Sequence, residues 1–189
     1  MVRTLFSTLL LVAASGALLA EESDYYRLET YEIPADLKLE ASGLALLPDG
    51  RFAIAIRKGE IWIADDPTSL TPKFTQFASG LHEPLGLTWH DGALYTTQRS
   101  EVTRLEDSDG DGAADTYLTA ANGWGVSGNY HEYAYGPVFD SKGNLWVTLN
   151  QTLGGAVKME GHRRSEFPWR GWSMMQAPGG ELLPMSAGL

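Results

Sequence analysis

The densest chemistry in this chain lies in nine residues, Asp107-Ser108-Asp109-Gly110-Asp111-Gly112-Ala113-Ala114-Asp115. Calcium takes hard oxygen ligands, and a calcium loop supplies them from alternate positions around a glycine turn. Asp107, Asp109 and Asp111 fill the first, third and fifth positions of such a loop. Gly112 is the turn glycine at the sixth, Ala113 offers its carbonyl at the seventh, and Asp115 stands at the ninth. The twelfth position, usually a bidentate glutamate, is Leu118. A helix–loop–helix EF-hand is therefore not expected, and an ion would be held at about 10⁻⁴–10⁻³ M, tying down a loop without catalysing anything. The competing reading is a solvated acidic turn.

A second candidate is His131, inside the glycine- and aromatic-rich run Asn122–Gly136. An imidazole titrates near neutral pH and suits a general base. The alternative is a histidine packed beside aromatics and hydrogen-bonded to a neighbouring element. Gln98 and Arg99 are candidate cofactor contacts. A guanidinium meets an anion bidentately, but Arg99 has Glu83 and Glu101 as rival partners. Lys158, His162, Arg163, Arg164 and Arg170 form a basic cluster about the insertion Gln151–Trp169, fit to bind an anion, to cap a face, or to offset Glu160 and Glu166. His82 and His90 read as turn residues. Trp124 and Trp169 lie outside regular strands and have the flat apolar face on which a sugar ring stacks.

The elements that position these residues repeat. Gly43, Gly86 and Gly136 each lead a short apolar strand, a turn carrying Asp and Gly, and a second apolar strand; they stand 43 and 50 residues apart. Asp and Gly tolerate the positive φ of tight hairpin turns. Further strands are predicted over 60–64 and 73–77, 101–105 and 115–119, and 171–175 and 181–184. That is about three four-stranded blades of an all-β propeller, most simply a six-bladed one, because units of 40–50 residues with several strands are propeller spacing. A β-sandwich is the alternative. Phe77–Leu81 and Met185–Leu189 look like the same linker leading out of a blade. Three blades leave a ring open, since closure takes four to eight. The chain is therefore expected to be the N-terminal part of a longer protein, inactive as a piece, whose remaining blades are its first partner.

Composition bounds the rest. The 189 residues carry a net charge of −10 and no cysteine. Thiolate metal sites, disulfides and cysteine catalysis are excluded, and the acidic balance argues against nucleic acid. Residues 1–20 open with Arg3 and continue as an uncharged apolar run to Ala20, the layout of a secretory signal peptide. A membrane-spanning helix is the rival, but the run is short and diluted by Ser7, Thr8, Ser15 and Gly16. The expected organisation is signal peptide 1–20, extension 21–40 and blades 41–189. The mature protein is expected to be exported, periplasmic or extracellular, with no stable membrane span.

The strand Gln98–Leu105, the Asp-rich loop and the stretch Gly123–Asn150 together resemble exported bacterial propellers related to the glucose/sorbosone dehydrogenases, within the superfamily of pyrroloquinoline quinone (PQQ)-dependent sugar dehydrogenases. The resemblance covers most of residues 41–189. It implies oxidation of a sugar or alcohol, with hydride passing to PQQ and a histidine before the third-blade strand taking the hydroxyl proton. His131 has that placement. Two details depart from the pattern: the distance from His131 to Gly136 is shorter, and Asn150-Gln151 replaces the Gly-Asp that commonly closes the next strand. The alternative function is a non-catalytic propeller that binds carbohydrate or protein.

Overall fold

The computed structural model describes residues 21–126, 128–151 and 168–187. The expected signal peptide, the basic residues Lys158, His162, Arg163 and Arg164, and Gly188-Leu189 lie outside the described residues. The chain divides into two compact units, Met1–Thr30 and Tyr31–Leu189. The described part of the first contains a single 3-10 turn, Glu22–Asp24.

The second unit is built from three antiparallel four-stranded sheets. Blade one comprises β1 (Ala41–Leu46), β2 (Phe52–Ile56), β3 (Glu60–Ala64) and β4 (Phe74–Ala78). Blade two comprises β5 (Leu87–His90), β6 (Ala93–Thr97), β7 (Glu101–Glu106) and β8 (Thr116–Asn122). Blade three comprises β9 (Ala134–Phe139), β10 (Leu145–Leu149), β11 (Trp172–Gln176) and β12 (Leu182–Ala187). In every sheet the strands lie side by side in chain order. This is the partial propeller that the repeat spacing predicts. The residues read as linkers are corrected: Phe77-Ala78 and Met185–Ala187 are the last residues of outer strands β4 and β12.

The hairpins form where the turn chemistry directs them. Asp91 and Gly92 both take positive φ (44° and 79°) between β5 and β6, as a two-residue hairpin turn requires. The lead glycines serve another purpose. A Cβ on Gly43 would lie 2.5 Å from the carbonyl carbon of Gly86, and one on Gly86 (φ 99°) would overlap the carbonyl oxygen of Gly136. The innermost strands thus meet backbone to backbone. Ser42 Oγ donates to Pro84 O (2.5 Å), Gly86 N donates to Ser42 O (2.9 Å), and Thr88 Oγ1 donates to Pro137 O (2.5 Å).

Two apolar layers weld the blades. Ala45, Ala53, Ala55, Ile61 and Ile63 of blade one pack with Leu87, Leu94 and Leu105 of blade two. Tyr95, Val102 and Ala121 of blade two pack with Ala134, Leu145, Val147 and Met174 of blade three. Ile61, Val102 and Leu105 are fully buried, each stabilising the fold by roughly 1.5–3 kcal/mol. His90, read above as a turn residue, ends β5 and stacks on Phe139 of blade three (3.8 Å, 9° between planes). Residues 31–40 strap the far side of blade one. Glu32 N donates to Leu70 O (2.8 Å), and Leu37 is buried beside a cleft that Ile56, Trp62 and Phe74 also line.

Candidate functional site

Strand connectivity decides which candidates can meet. Gln98 and Arg99 precede β7, and the Asp loop begins at Asp107, directly after β7 ends. Six extended residues span about 20 Å. The acidic loop and the Gln98/Arg99 turn therefore lie at opposite ends of blade two. The loop before β9, with His131, lies at the Arg99 end.

At that end a polar network ties the three blades together. Arg57, after β2, donates to Glu83 Oε1 (3.1 Å) and to the Tyr133 hydroxyl (2.7 Å). Glu83 Oε2 lies 3.7 Å from Arg99 Nε, and Arg99 Nη2 donates to Asn129 O (2.7 Å). Arg99 is 9 % exposed, and its carbonyl accepts from Trp124 Nε1 (2.8 Å). Trp124 is consequently a core residue at 6 % exposure, and its face is not free for a sugar. Gln98 is also committed. Its amide oxygen accepts from His82 N, and its amide nitrogen donates to Thr103 Oγ1 (2.6 Å). Of the two acidic rivals for Arg99, Glu83 is the one beside it. Glu101 accepts instead from Thr103 and Thr119.

Beneath the His131 loop lies a buried ion pair. Glu132 is 1 % exposed, and its Oε2 sits 3.8 Å from Nε of Arg170, whose side chain is 2 % exposed. Arg170 Nε donates to Gly125 O (2.6 Å) and Nη1 to Tyr133 O (3.0 Å), while Gly125 N donates to Pro168 O (2.9 Å). One guanidinium therefore grips both arms of the β8–β9 loop. Burial lowers its pKa, Glu132 opposes that shift, and the nearby Arg99 charge adds to it. Arg170, expected in a basic surface cluster, is instead an internal clasp. Among the described residues, Glu132 Oε2 and Arg170 Nη2 find no hydrogen-bond partner.

His131 rides on top of this clasp. Its residue is exposed, and its ring lies 3.8 Å from that of Tyr130. Its backbone is fixed on both sides: His131 N donates to Asn129 Oδ1 (3.0 Å), and Asn150 Nδ2 donates to His131 O (3.1 Å). The structure thus brings His131, Arg99 and Gln98 to one end of the blades, with the last two facing inward. Arg57 and Glu132 escaped the sequence reading, because isolated charges in loops read as solvated; Glu83 was read only as a rival for Arg99, and Arg170 only as part of a basic cluster. The one available signal was a Glu placed among Tyr130, His131 and Tyr133.

At the opposite end, Asp107, Asp109 and Asp115 bring carboxylate oxygens within 4.8 Å of one another. That spacing accommodates an ion bound at about 2.3–2.6 Å from each. Asp111 is outside this group and accepts from Ala113 N (2.8 Å). The loop is also knit internally. Asp107 accepts from Gly110 N and Gly112 N (2.7 and 3.0 Å), and Asp115 from Ser108 N and Oγ (2.8 and 2.9 Å). The two Ser108 bonds, the backbone one foremost, hold the Asp115 carboxyl below its usual range. Asp107 and Gly112 also line a cavity of about 250 Å³ between blades one and two, with Arg51, Phe77 and Trp89.

Fold and site together define an open arc of a β-propeller with a polar junction at one end and an acidic loop at the other. No family model and no curated protein matches the chain. Solved structures do match. One is an oxidoreductase (glucose dehydrogenase) of Thermus thermophilus, with TM-score 0.56 and 22 % identity over 76 % of this chain and 46 % of that one. Another is the PQQ-bound aldose sugar dehydrogenase of Streptomyces coelicolor, with TM-score 0.55 and 17 % identity over 82 % of this chain and 48 % of that one. The chain therefore spans about half the length of each of these two proteins, and the likeness establishes the propeller fold.

Proposed function

We propose that this chain is the N-terminal half of an exported, dehydrogenase-like propeller that oxidises a sugar or alcohol, with PQQ as the hydride acceptor. The observation that carries this reading is His131: an exposed imidazole ahead of the innermost strand of blade three, with its backbone pinned from Asn129 and Asn150. Innermost strands surround the axis of a ring, so a base here faces a small molecule entering along it. His131 takes the hydroxyl proton, and the Arg170–Glu132 clasp keeps its loop in place. Gln98 and Arg99 spend their donors inside the protein, so within these blades they do not fit a PQQ site. No step is derived through the quinone, whose contacts this reading assigns to the other half of the ring. Calcium belongs to the same reading as a structural ion on the Asp107, Asp109 and Asp115 carboxylates. The export step rests on residues 1–20.

The test is reconstitution of the complete protein with PQQ, a dye acceptor and a panel of aldoses and alcohols. Turnover that falls by about 10²–10⁴ in His131→Ala supports the reading. Absence of both quinone binding and turnover removes it.

A second reading, a carbohydrate-binding propeller without catalysis, is favoured by the inward commitment of Gln98 and Arg99 and by the exposed rings of Tyr130 and Trp169, 59 % and 39 % exposed. Saturable sugar binding, read by tryptophan fluorescence, with no turnover under any acceptor would select it.

A further inference from the structure

Glu83 is held in a conformation that its residue type does not favour. It lies between β4 and β5 with φ 48°, a region that L-residues other than Asn and Asp seldom occupy. Asp91 has a similar φ inside the β5–β6 hairpin, where the turn requires it. Glu83 joins strands of two different sheets, so no hairpin accounts for it. Such strain persists where the surroundings over-determine the backbone. On one side, His82 N donates to Gln98 Oε1, and His82 O accepts from Arg99 N (3.3 Å). On the other, Pro84 O accepts from Ser42 Oγ (2.5 Å), and Leu85 N donates to Thr97 O (2.8 Å). Blades one and two pin the segment on both sides of Glu83.

The Glu83 carboxylate stands between two arginines from different blades. Oε1 accepts from Arg57 Nη2 (3.1 Å), and Oε2 lies 3.7 Å from Arg99 Nε. Each guanidinium also reaches the His131 loop. Arg57 Nη2 donates to the Tyr133 hydroxyl (2.7 Å), and its guanidinium carbon lies 5.4 Å from the centre of that ring. Arg99 Nη2 donates to Asn129 O (2.7 Å), and Asn129 Oδ1 accepts from His131 N (3.0 Å). Through two arginines, one carboxylate thus bears on the residues two before and two after His131. The Arg57 side chain is half exposed, and holding so long a side chain in one rotamer costs entropy that a counter-charge must offset.

We propose that Glu83 is a positioning residue for His131: its carboxylate fixes Arg57 and Arg99, and these set both flanks of the imidazole. The catalytic consequence rests on the dehydrogenase reading of His131, whereas the geometric one does not. Glu83→Gln keeps the shape of the side chain and removes the charge that both arginines share. Glu83→Asp keeps the charge on a shorter stem.

The test compares wild type with Glu83→Gln in the complete protein. Glu106→Gln, which removes the partner of Arg104 at the other end of β7, is the control. With isotopically labelled histidine, the His131 amide and ring resonances are identified by their loss in His131→Ala. They are expected to shift in Glu83→Gln and to stay in place in the control, with circular dichroism unchanged in both. In the PQQ and dye assay, Glu83→Gln is expected to lose about 10–100-fold in kcat with KM within about twofold, because a slightly misplaced reacting group costs that much. Added to His131→Ala, it costs nothing further, since a residue that acts through the base has no effect once the base is gone. Glu83→Asp recovers part of the kcat. Should Glu83→Gln not fold, Arg57→Gln removes the Tyr133 arm alone and is read in the same way. Unmoved His131 resonances overturn the proposal. So does an unchanged kcat, or one that falls equally with and without His131. If the wild type shows no turnover, shifted resonances still support Glu83 as the residue that sets the loop, and the dehydrogenase reading alone falls.

Discussion

Asp140 closes the β9–β10 hairpin by accepting from Lys142 N (2.9 Å), Asn144 N (3.0 Å), Asn144 Nδ2 (2.8 Å) and Trp146 Nε1 (3.1 Å). The Asn144 side chain, then the Trp146 indole, hold its carboxyl far below the usual range. A carboxyl with a depressed folded pKa stabilises the fold above its unfolded value, about 3.9, and that stability drains away as pH falls through the folded value. Asp140→Asn is therefore expected to melt below wild type at pH 7, with the gap shrinking below about pH 4; thermal melts at both pH values check this. The acidic loop carries a second expectation. Calcium at millimolar concentration raises the melting temperature of the wild type and leaves that of Asp109→Ala unchanged. No calcium-dependent rise in the wild type would remove the ion from the reading.

Loops and strands show how far the pattern of residues reaches. β3 occupies 60–64 as its alternation predicts, and the Asp-Gly turns fall where local chemistry demands φ > 0. β8 runs to Asn122, beyond the expected 119, because a register shift between Val102 and Thr103 lets pairing with β7 continue to Glu101. The His131 loop is where legibility ends. Its shape depends on Arg170, 39 residues after His131 in the chain, and no local rule announces a buried guanidinium. Removing one partner of a buried pair leaves the other charge stranded, at a cost of about 3–5 kcal/mol. Arg170→Ala is expected to lose about that much in urea unfolding, and the double variant Arg170→Met with Glu132→Leu to recover a large part. An unchanged midpoint in Arg170→Ala would show that the clasp carries nothing.

At the scale of the molecule, lead glycines 43 and 50 residues apart were enough to reveal blades. Spacing alone did not reveal which face of each blade is spent on a neighbour, nor that the metal-type loop and the histidine loop sit at opposite ends. Both follow from strand direction and register, which emerge only once β7 is laid between its two turns. Among the described residues no helix is long and apolar enough to cross a membrane. The in-order sheets carry a kinetic consequence. Among the described strands none is lent by one blade to another, and all twelve pair with sequence neighbours. Contacts of short sequence separation form early and cheaply, and a chain emerging from its N-terminus meets them in order. Blade one can pair its strands before blade three has left the ribosome. Pulsed hydrogen exchange during refolding is expected to show protection arriving in blade-sized steps, rather than in one event across every strand.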